Sequence, residues 1–331
     1  MDLNDSTQTM NDHEKEVNDW IRFGLRLGVS AALHPLEYSK VLIQLGYEPI
    51  SPRPGTSLLG KPIMFLPNIF EYAGYIRRMD GFFGMYRGLT PKLVGSIVGM
   101  ICSEKVANEL GLPAEKNDES LSELSVDSKW QEGSVSDEEL YLQFKTALKR
   151  DVVLSVSGLI VSHPFHVISV RMMAQFIGKE SVYRSIFGSI KEIFRTEGIS
   201  GFFSGLVPKM LCDVACLVLT SSTVYMVSKY LVKDKISRTY CAGGTQFIFA
   251  SILYPLQVVS TCMVVTGSRL MAGRPPVMPE YAGWRDCWND LQTRGELKRG
   301  SSVFWRYVGS SNLNRRPGNS MVPLPALSKY N

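Results

Sequence analysis

The 331 residues could hold one large domain or two ordinary ones, and a hydrophobic content of 45% with a net charge of +5 lies above a typical solvated chain. Residues 1–19 carry six acidic side chains against one lysine, which excludes the Arg-rich, acid-poor composition of a cleaved mitochondrial presequence. The six cysteines sit mostly in apolar stretches without the spacing of a zinc or iron site, so they read as reduced, small and buried.

In chain order, an acidic tail precedes a first apolar span over roughly 20–45, which contains "SAALHPLEYSKVLIQLGY". The piece "YIRRMDGFFGMYRG" at 75–88 then leads into "LTPKL" and a second span over roughly 90–110. Proline near that helix start is tolerated because its missing N–H costs nothing in the first turn. Residues 111–139 carry nine acids against two lysines and almost no aromatic side chains, the composition of a disordered linker. A third span over roughly 150–177 contains "LIVSHPFHVISVRMMAQFIG", followed by the amphipathic "VYRSIFGSIKEIFRTEG" and a fourth span over roughly 206–231. Residues 239–268 contain no charged side chain and hold a fifth span, roughly 241–266, longer than the about 20 residues that cross a bilayer. Prolines inside the first, third and fifth spans are expected to kink or break them.

The elements repeat. "YRGLTPKL" at 86–93 returns as "FSGLVPKM" at 203–210, and the proline-centred stretches around Pro35, Pro164 and Pro255 align with one another. With these pieces the chain resembles the mitochondrial carrier family, whose threefold repeat carries Pro-x-[Asp/Glu]-x-x-[Lys/Arg] and then [Asp/Glu]-Gly-x-x-x-x-aromatic-[Lys/Arg]-Gly. Repeat one matches with Pro35, Glu37, Lys40, Asp80, Gly81, Tyr86, Arg87 and Gly88. Repeat two keeps Pro164, Glu197, Gly198, Phe203 and Gly205 but places His166, Ser169 and Ser204 where charges belong. Repeat three keeps Pro255, with Gln257 and Ser260, and "TRGELKRGSSVFWR" at 293–306 matches the second half only loosely. These departures resemble the divergent mitochondrial carrier homolog branch of the outer mitochondrial membrane.

The resemblance implies an all-α membrane protein, a carrier-like repeat bundle of about five transmembrane helices. The polar stretch after 308, with two adjacent arginines and three prolines, excludes a sixth. The organisation reads as an acidic N-terminal tail (1–19), repeat one (20–110), an acidic linker (111–147), repeat two (148–232), an incomplete repeat three (233–308) and a basic C-terminal tail (309–331). An odd number of spans puts the two termini on opposite sides of the membrane.

Helical spacing places Arg26, Ser30, Leu33, Glu37, Lys40 and Gln44 on one face of the first span. Corresponding faces carry His166 and Ser169 in the third span, Gln257 and Ser260 in the fifth, and Lys92, Lys209 and Asp213 in the even spans. Ser and Thr on such faces are equally well ordinary polar groups satisfied across helices. Ionisable groups differ, because each costs about 2.5–3.5 kcal/mol at a membrane-helix centre, so Lys40, Glu37 and Asp213 are expected to face water or one another. The expected groove set is therefore Arg26, Glu37, Lys40, Gln44, His166, Ser169, Lys209, Asp213, Gln257 and Ser260. The small-residue strings "GLRLG" at 24–28 and "GSIVG" at 95–99 suit close helix contact.

In the family, the acid of one repeat pairs with the base of the next to close the path. Here Glu37 would face Ser169, His166 would face Ser260 and Gln257 would face Lys40, so no such ion pair is expected and coupled solute exchange is disfavoured. The resemblance implies an insertase for α-helical proteins of the outer mitochondrial membrane, including tail-anchored ones. It also implies a receptor for a pro-apoptotic BH3-only protein. Lipid scrambling, solute conduction and a receptor-scaffold role remain as alternatives. No cofactor, metal or nucleic-acid partner is expected, membrane lipids and client helices are, and "FIGKES" has Gly-Lys but lacks the upstream glycine and the following Ser/Thr of a phosphate loop, so an enzyme is not expected.

Overall fold

The computed structural model describes residues 3–56, 60, 62–112, 137–230 and 235–307. Five long helices carry the architecture: α1 (Leu3–Gln44), α3 (Leu89–Glu109), α4 (Asp137–Gly178), α6 (Leu206–Tyr230) and α7 (Lys235–Val265). Three short helices lie between or after them: α2 (Ile69–Gly84), α5 (Ile186–Glu197) and α8 (Trp284–Arg294). Each unit is thus a long proline-bearing helix, a short helix and, in the first two units, a second long helix.

The long helices stay helical through Pro35, Pro164 and Pro255 rather than breaking there. They also start earlier than the apolar stretches alone suggest, with α1 running from Leu3 and α4 from Asp137, because Glu, Gln and Lys extend a helix as readily as apolar residues do. Residues 113–136 of the linker and the tail beyond 307 lie outside the described residues. Three helical stretches, Tyr141–Gly178, Ile199–Tyr230 and Tyr240–Val265, are long and apolar enough to cross a membrane by composition, while α1 and α3 carry more polar residues.

The core lies at one end of the bundle. Its residues come from α1 after Pro35 (Tyr38, Leu42, Ile43), from α4 after Pro164 (Val167, Ile168, Met173) and from α7 after Tyr254 (Val258, Val259, Cys262), together with Tyr72, Ile76 and Ile193 of the short helices. A threefold collar ties that end together. The residue before each proline bonds a backbone carbonyl of its own repeat: His34 Nε2 to Arg87 O at 3.0 Å, His163 Nε2 to Ser204 O at 2.9 Å and Tyr254 Oη to Arg299 O at 2.8 Å. The glycine next in sequence has positive φ in all three copies, 86° at Gly88, 76° at Gly205 and 72° at Gly300. Gly88 packs on the Ser169 carbonyl, Gly205 on the Ser260 carbonyl and Gly300 beside the Lys40 carbonyl. A side chain at any of them would collide with the next repeat or strain the backbone. Gly300 is thereby the third copy of the motif glycine.

Beyond that glycine the repeats diverge. After Gly88 and Gly205 a membrane-length helix begins, but after Gly300 the chain turns into β3 (Arg306–Tyr307). This strand joins the hairpin of β1 (Arg53–Thr56) and β2 (Pro62–Leu66) as a three-stranded antiparallel sheet in the order β1-β2-β3, pairing Phe65 with Tyr307 and Leu66 with Arg306. The Arg306 guanidinium donates to Pro67 O at 2.9 Å and pairs with Glu48. Burial pushes the Glu48 carboxyl above its ordinary range, and the Arg306 guanidinium offsets only part of that rise.

The small-residue strings behave differently from one another. Gly95 and Gly99 let α3 approach α4, since a Cβ there would sit 2.8 Å from Phe165 Cβ and 3.1 Å from Gly158 O. Among the described residues nothing lies within 4 Å of a Cβ added at Gly24 or Gly28, so the expected contact is not made by any of them. That half of α1 instead shows an exposed apolar row, Ile21, Leu25, Val29 and Leu33. With five long helices, protease treatment of intact mitochondria is expected to cut a tag at one terminus and spare a tag at the other. Both cut or both spared would contradict the odd crossing number.

Candidate functional site

At the level of the collar, α1, α4, α6 and α7 line a cavity of about 380 Å³. One-turn spacing on α1 brings Leu33, Glu37, Lys40 and Gln44 to its wall; α4 contributes His166, α6 Lys209, Cys212 and Asp213, and α7 Gln257, Ser260 and Thr261. Ile69 and Val303 also line it, the latter a loop residue standing after Gly300 where the other two repeats begin a helix.

Eight of the ten expected groove residues therefore meet in one place. Arg26 does not: it is exposed on the unpacked half of α1, away from the cavity. Ser169 does not either, because its hydroxyl donates to Gly88 O at 2.8 Å as part of the collar, where it is buried. Ser260 makes the equivalent bond to Gly205 O at 2.9 Å while also reaching the cavity wall. These serines occupy the positions of the motif bases and use them to fasten one repeat to the previous one.

The cavity is not free of ion pairs. Glu37 pairs with Lys92 of α3, and Lys209 Nζ lies 3.3 Å from Asp213 Oδ2 one helical turn away. The first joins the two long helices of one repeat and the second lies within one helix, so neither is the link between successive repeats that the family uses. Helical periodicity on α1 and α3 taken together is the available signal for Glu37 and Lys92, because both fall on the inward stripes. The Lys40 ammonium stands 5.0 Å above the Tyr254 ring, a cation–π contact. Gln44 closes the floor, donating to Tyr254 Oη at 2.9 Å and accepting from Thr261 Oγ1 at 3.0 Å.

Two further arginines, Arg171 outside the motifs and Arg299 before the third motif glycine, hold the repeats together. Arg171, fully buried, makes a bidentate pair with the motif acid Glu197 at 2.5 and 2.8 Å and donates to Val264 O at 2.9 Å. Its signal in the sequence is a basic residue seven positions after Pro164, where the other repeats have Leu42 and Cys262. Arg299 bridges repeat three to repeat one, donating to Gln44 O at 2.7 Å and to Cys262 Sγ at 3.3 Å. In repeat one the motif acid Asp80 pairs with Arg87 at 3.2 Å, and Gly81 and Gly198 turn the chain with φ of 77° and 69°. All six cysteines are free thiols, but only Cys262 and Cys287 are buried; the other four are partly exposed.

The arrangement can hold charge of either sign beside an apolar helix face. Among the described residues no group of three or more His, Cys, Asp and Glu side chains could hold a metal ion.

Comparison with known proteins agrees with this architecture. The family described as mitochondrial carrier protein matches residues 153–235. Mitochondrial carrier homolog 2 of Bos taurus is 37% identical over 289 residues, 85% of this chain and 91% of that protein. Mitochondrial carrier homolog 1 of Mus musculus is 33% identical over 87% of this chain and 76% of its own length. A mitochondrial 2-oxodicarboxylate carrier of Mus musculus is 32% identical over only 31% of this chain. With the three-part collar and these relatives together, the chain belongs to the mitochondrial carrier family, in its divergent mitochondrial carrier homolog branch, and is a carrier-like mitochondrial membrane protein.

Proposed function

We propose that this protein inserts α-helical segments, tail anchors included, into the outer mitochondrial membrane. The observation that carries the reading is a cavity with charged walls whose third-repeat side is a loop residue, Val303, rather than a helix. The exposed apolar row of α1 ends at Leu33, which itself lines the cavity, so apolar and polar surfaces meet at one edge. A segment moving sideways into lipid has an apolar body and a polar flank, and the flank is the costly part in hydrocarbon. Glu37, Lys40, Lys209 and Asp213 would shelter that flank while the body slides along α1. The protein then acts on helical clients and lipids without covalent chemistry, and a BH3-only protein is a candidate docking partner on the same surface.

The test is insertion of a matched client series into mitochondria carrying variants at equal protein level, with unchanged protease resistance as folding control. Asp213→Leu removes a carboxylate and frees the Lys209 ammonium, so insertion of basic-flanked clients is expected to fall most. Lys40→Ala is expected to slow acidic-flanked clients most. A single charge at partial screening gives about 1 kcal/mol, a roughly fivefold change in rate. Equal insertion of every client by both variants and the unaltered chain would remove these residues from the mechanism. A second reading, passage of lipid headgroups, is favoured by the same charged wall, and loss of lipid flipping with unchanged insertion in both variants would select it. Saturable exchange of a carboxylate or nucleotide in reconstituted vesicles would overturn both.

A further inference from the structure

The position seven residues after each repeat proline is filled in three different ways. In repeat one it is Leu42, fully buried in the core to which α2 contributes Tyr72 and Ile76. In repeat two it is Arg171, paired with Glu197 at the end of α5. In repeat three it is Cys262, whose thiol is hydrogen-bonded to that of Cys287 on α8. Both residues of this pair are fully buried, whereas the other four cysteines are partly exposed. The two thiols are unequal. Arg299 Nη2 donates to Cys262 Sγ at 3.3 Å. The contact with Cys262, and after it burial, holds the Cys287 thiol above its ordinary range, so Cys287 keeps its proton.

We propose that Cys262 and Cys287 are a site of reversible oxidation by hydrogen peroxide, and that their disulfide fastens α7 to α8 as the Arg171–Glu197 pair fastens α4 to α5. The Cys262 sulfur attacks first, because a cation beside a sulfur makes it the nucleophile of a pair. Its attack breaks the O–O bond and forms a sulfenic acid, and the other oxygen leaves as water with the Cys262 proton. The Cys287 sulfur then attacks the sulfenic sulfur, so the S–S bond forms, the S–O bond breaks and a second water carries off the Cys287 proton. Two thiols lose two electrons and two protons, and one peroxide becomes two waters. Access comes through α8, an eleven-residue helix that buries only Cys287 and Leu291 and turns Arg285, Asp286, Asn289 and Thr293 outward. Local opening of so short an element admits a molecule little larger than water. The staple lies in the repeat that lacks a second long helix, where a covalent tie adds most to a short one. The proposal does not depend on the insertion reading.

The test treats the full, unaltered chain in liposomes with hydrogen peroxide, alkylates the remaining thiols in denaturant and maps chymotryptic peptides by mass spectrometry. Cleavage after Phe247 and Phe249 separates Cys241 from Cys262. A peptide joining Cys262 to Cys287, two hydrogens lighter than its parts and split again by dithiothreitol, is expected from most of the chains. Amide exchange along α8 is expected to slow by about tenfold or more in the oxidised protein. In a Cys287→Ser chain dimedone should trap a sulfenic acid on Cys262, and in a Cys262→Ser chain it should trap none on Cys287. The peptide map needs neither variant to fold. Recovery of Cys262 and Cys287 as free thiols while peroxide links Cys212 to Cys216, or a Cys262–Cys287 link that appears only after denaturation, would overturn the proposal. Unchanged exchange along α8 would overturn the fastening, and dimedone on Cys287 would overturn the choice of Cys262 as the first sulfur.

Discussion

Replacing Glu197 with alanine is expected to destabilise the folded protein by about 3–5 kcal/mol, because it strands a charge with no access to water. Arg171 has 0% side-chain exposure and gives its two terminal nitrogens to Glu197. Its other bonds, from Nε to Val264 O and from Nη1 to Tyr183 Oη, do not neutralise it. The corresponding change in repeat one, Asp80→Ala, should cost no more than about 1 kcal/mol, since Asp80 and Arg87 are 24% and 32% exposed and water can replace the partner. A chain carrying both Arg171→Met and Glu197→Leu should recover most of the loss, because an apolar pair of similar volume removes the stranded charge. Thermal unfolding in detergent, read by labelling of the buried thiols of Cys262 and Cys287, gives the comparison directly. Equal losses for Glu197→Ala and Asp80→Ala would show that burial of Arg171 is not what makes the pair matter.

The collar glycines carry the second large effect. Gly205→Ala puts a Cβ 2.6 Å from Ser260 O on a residue with φ of 76°, and neither the carbonyl nor the backbone can yield cheaply. The left-handed conformation alone costs about 1–2 kcal/mol, and the collision adds to it, so a loss of about 3 kcal/mol or more is expected. The opposite sign is expected at Gly24→Ala, where nothing lies within 4 Å and a helix-interior glycine is replaced by a better helix former, a gain of about 0.5–1 kcal/mol. The same thiol-labelling melt measures both. A destabilised Gly24→Ala would mean that α1 packs closely at that point after all.

The prolines, the motif glycines of the first two repeats and the inward stripes are legible in the sequence because a repeat restates the same geometric demand at the same spacing. Gly300 is harder to see. The interval from proline to motif glycine is 53 residues in repeat one, 41 in repeat two and 45 in repeat three, so the copies do not superimpose along the chain. The surplus in repeat one holds the β1–β2 hairpin, whose strands "RPGT" and "PIMFL" are too short and proline-rich to announce themselves. Their third partner comes from Arg306–Tyr307, far along the chain, and no local pattern encodes such a pairing. The ion pairs of the cavity are hidden for a related reason. Comparing only the proline-bearing helix of each repeat leaves out Lys92, which lies on the second long helix of repeat one and pairs with Glu37.

The strand that replaces a helix also sets an order of events in synthesis. Arg306 and Glu48 are 258 positions apart, and Arg299 and Gln44 are 255 apart. The first two collar contacts can form as their repeats emerge. The third waits until nearly the whole described chain has left the ribosome. Closing a loop of that length is slow relative to local helix formation. Until then α1 and the turn that follows it lack their ties to Arg299 and Arg306, with the apolar row of α1 bare, so the nascent protein passes through a stage in which it resembles the substrates proposed for it.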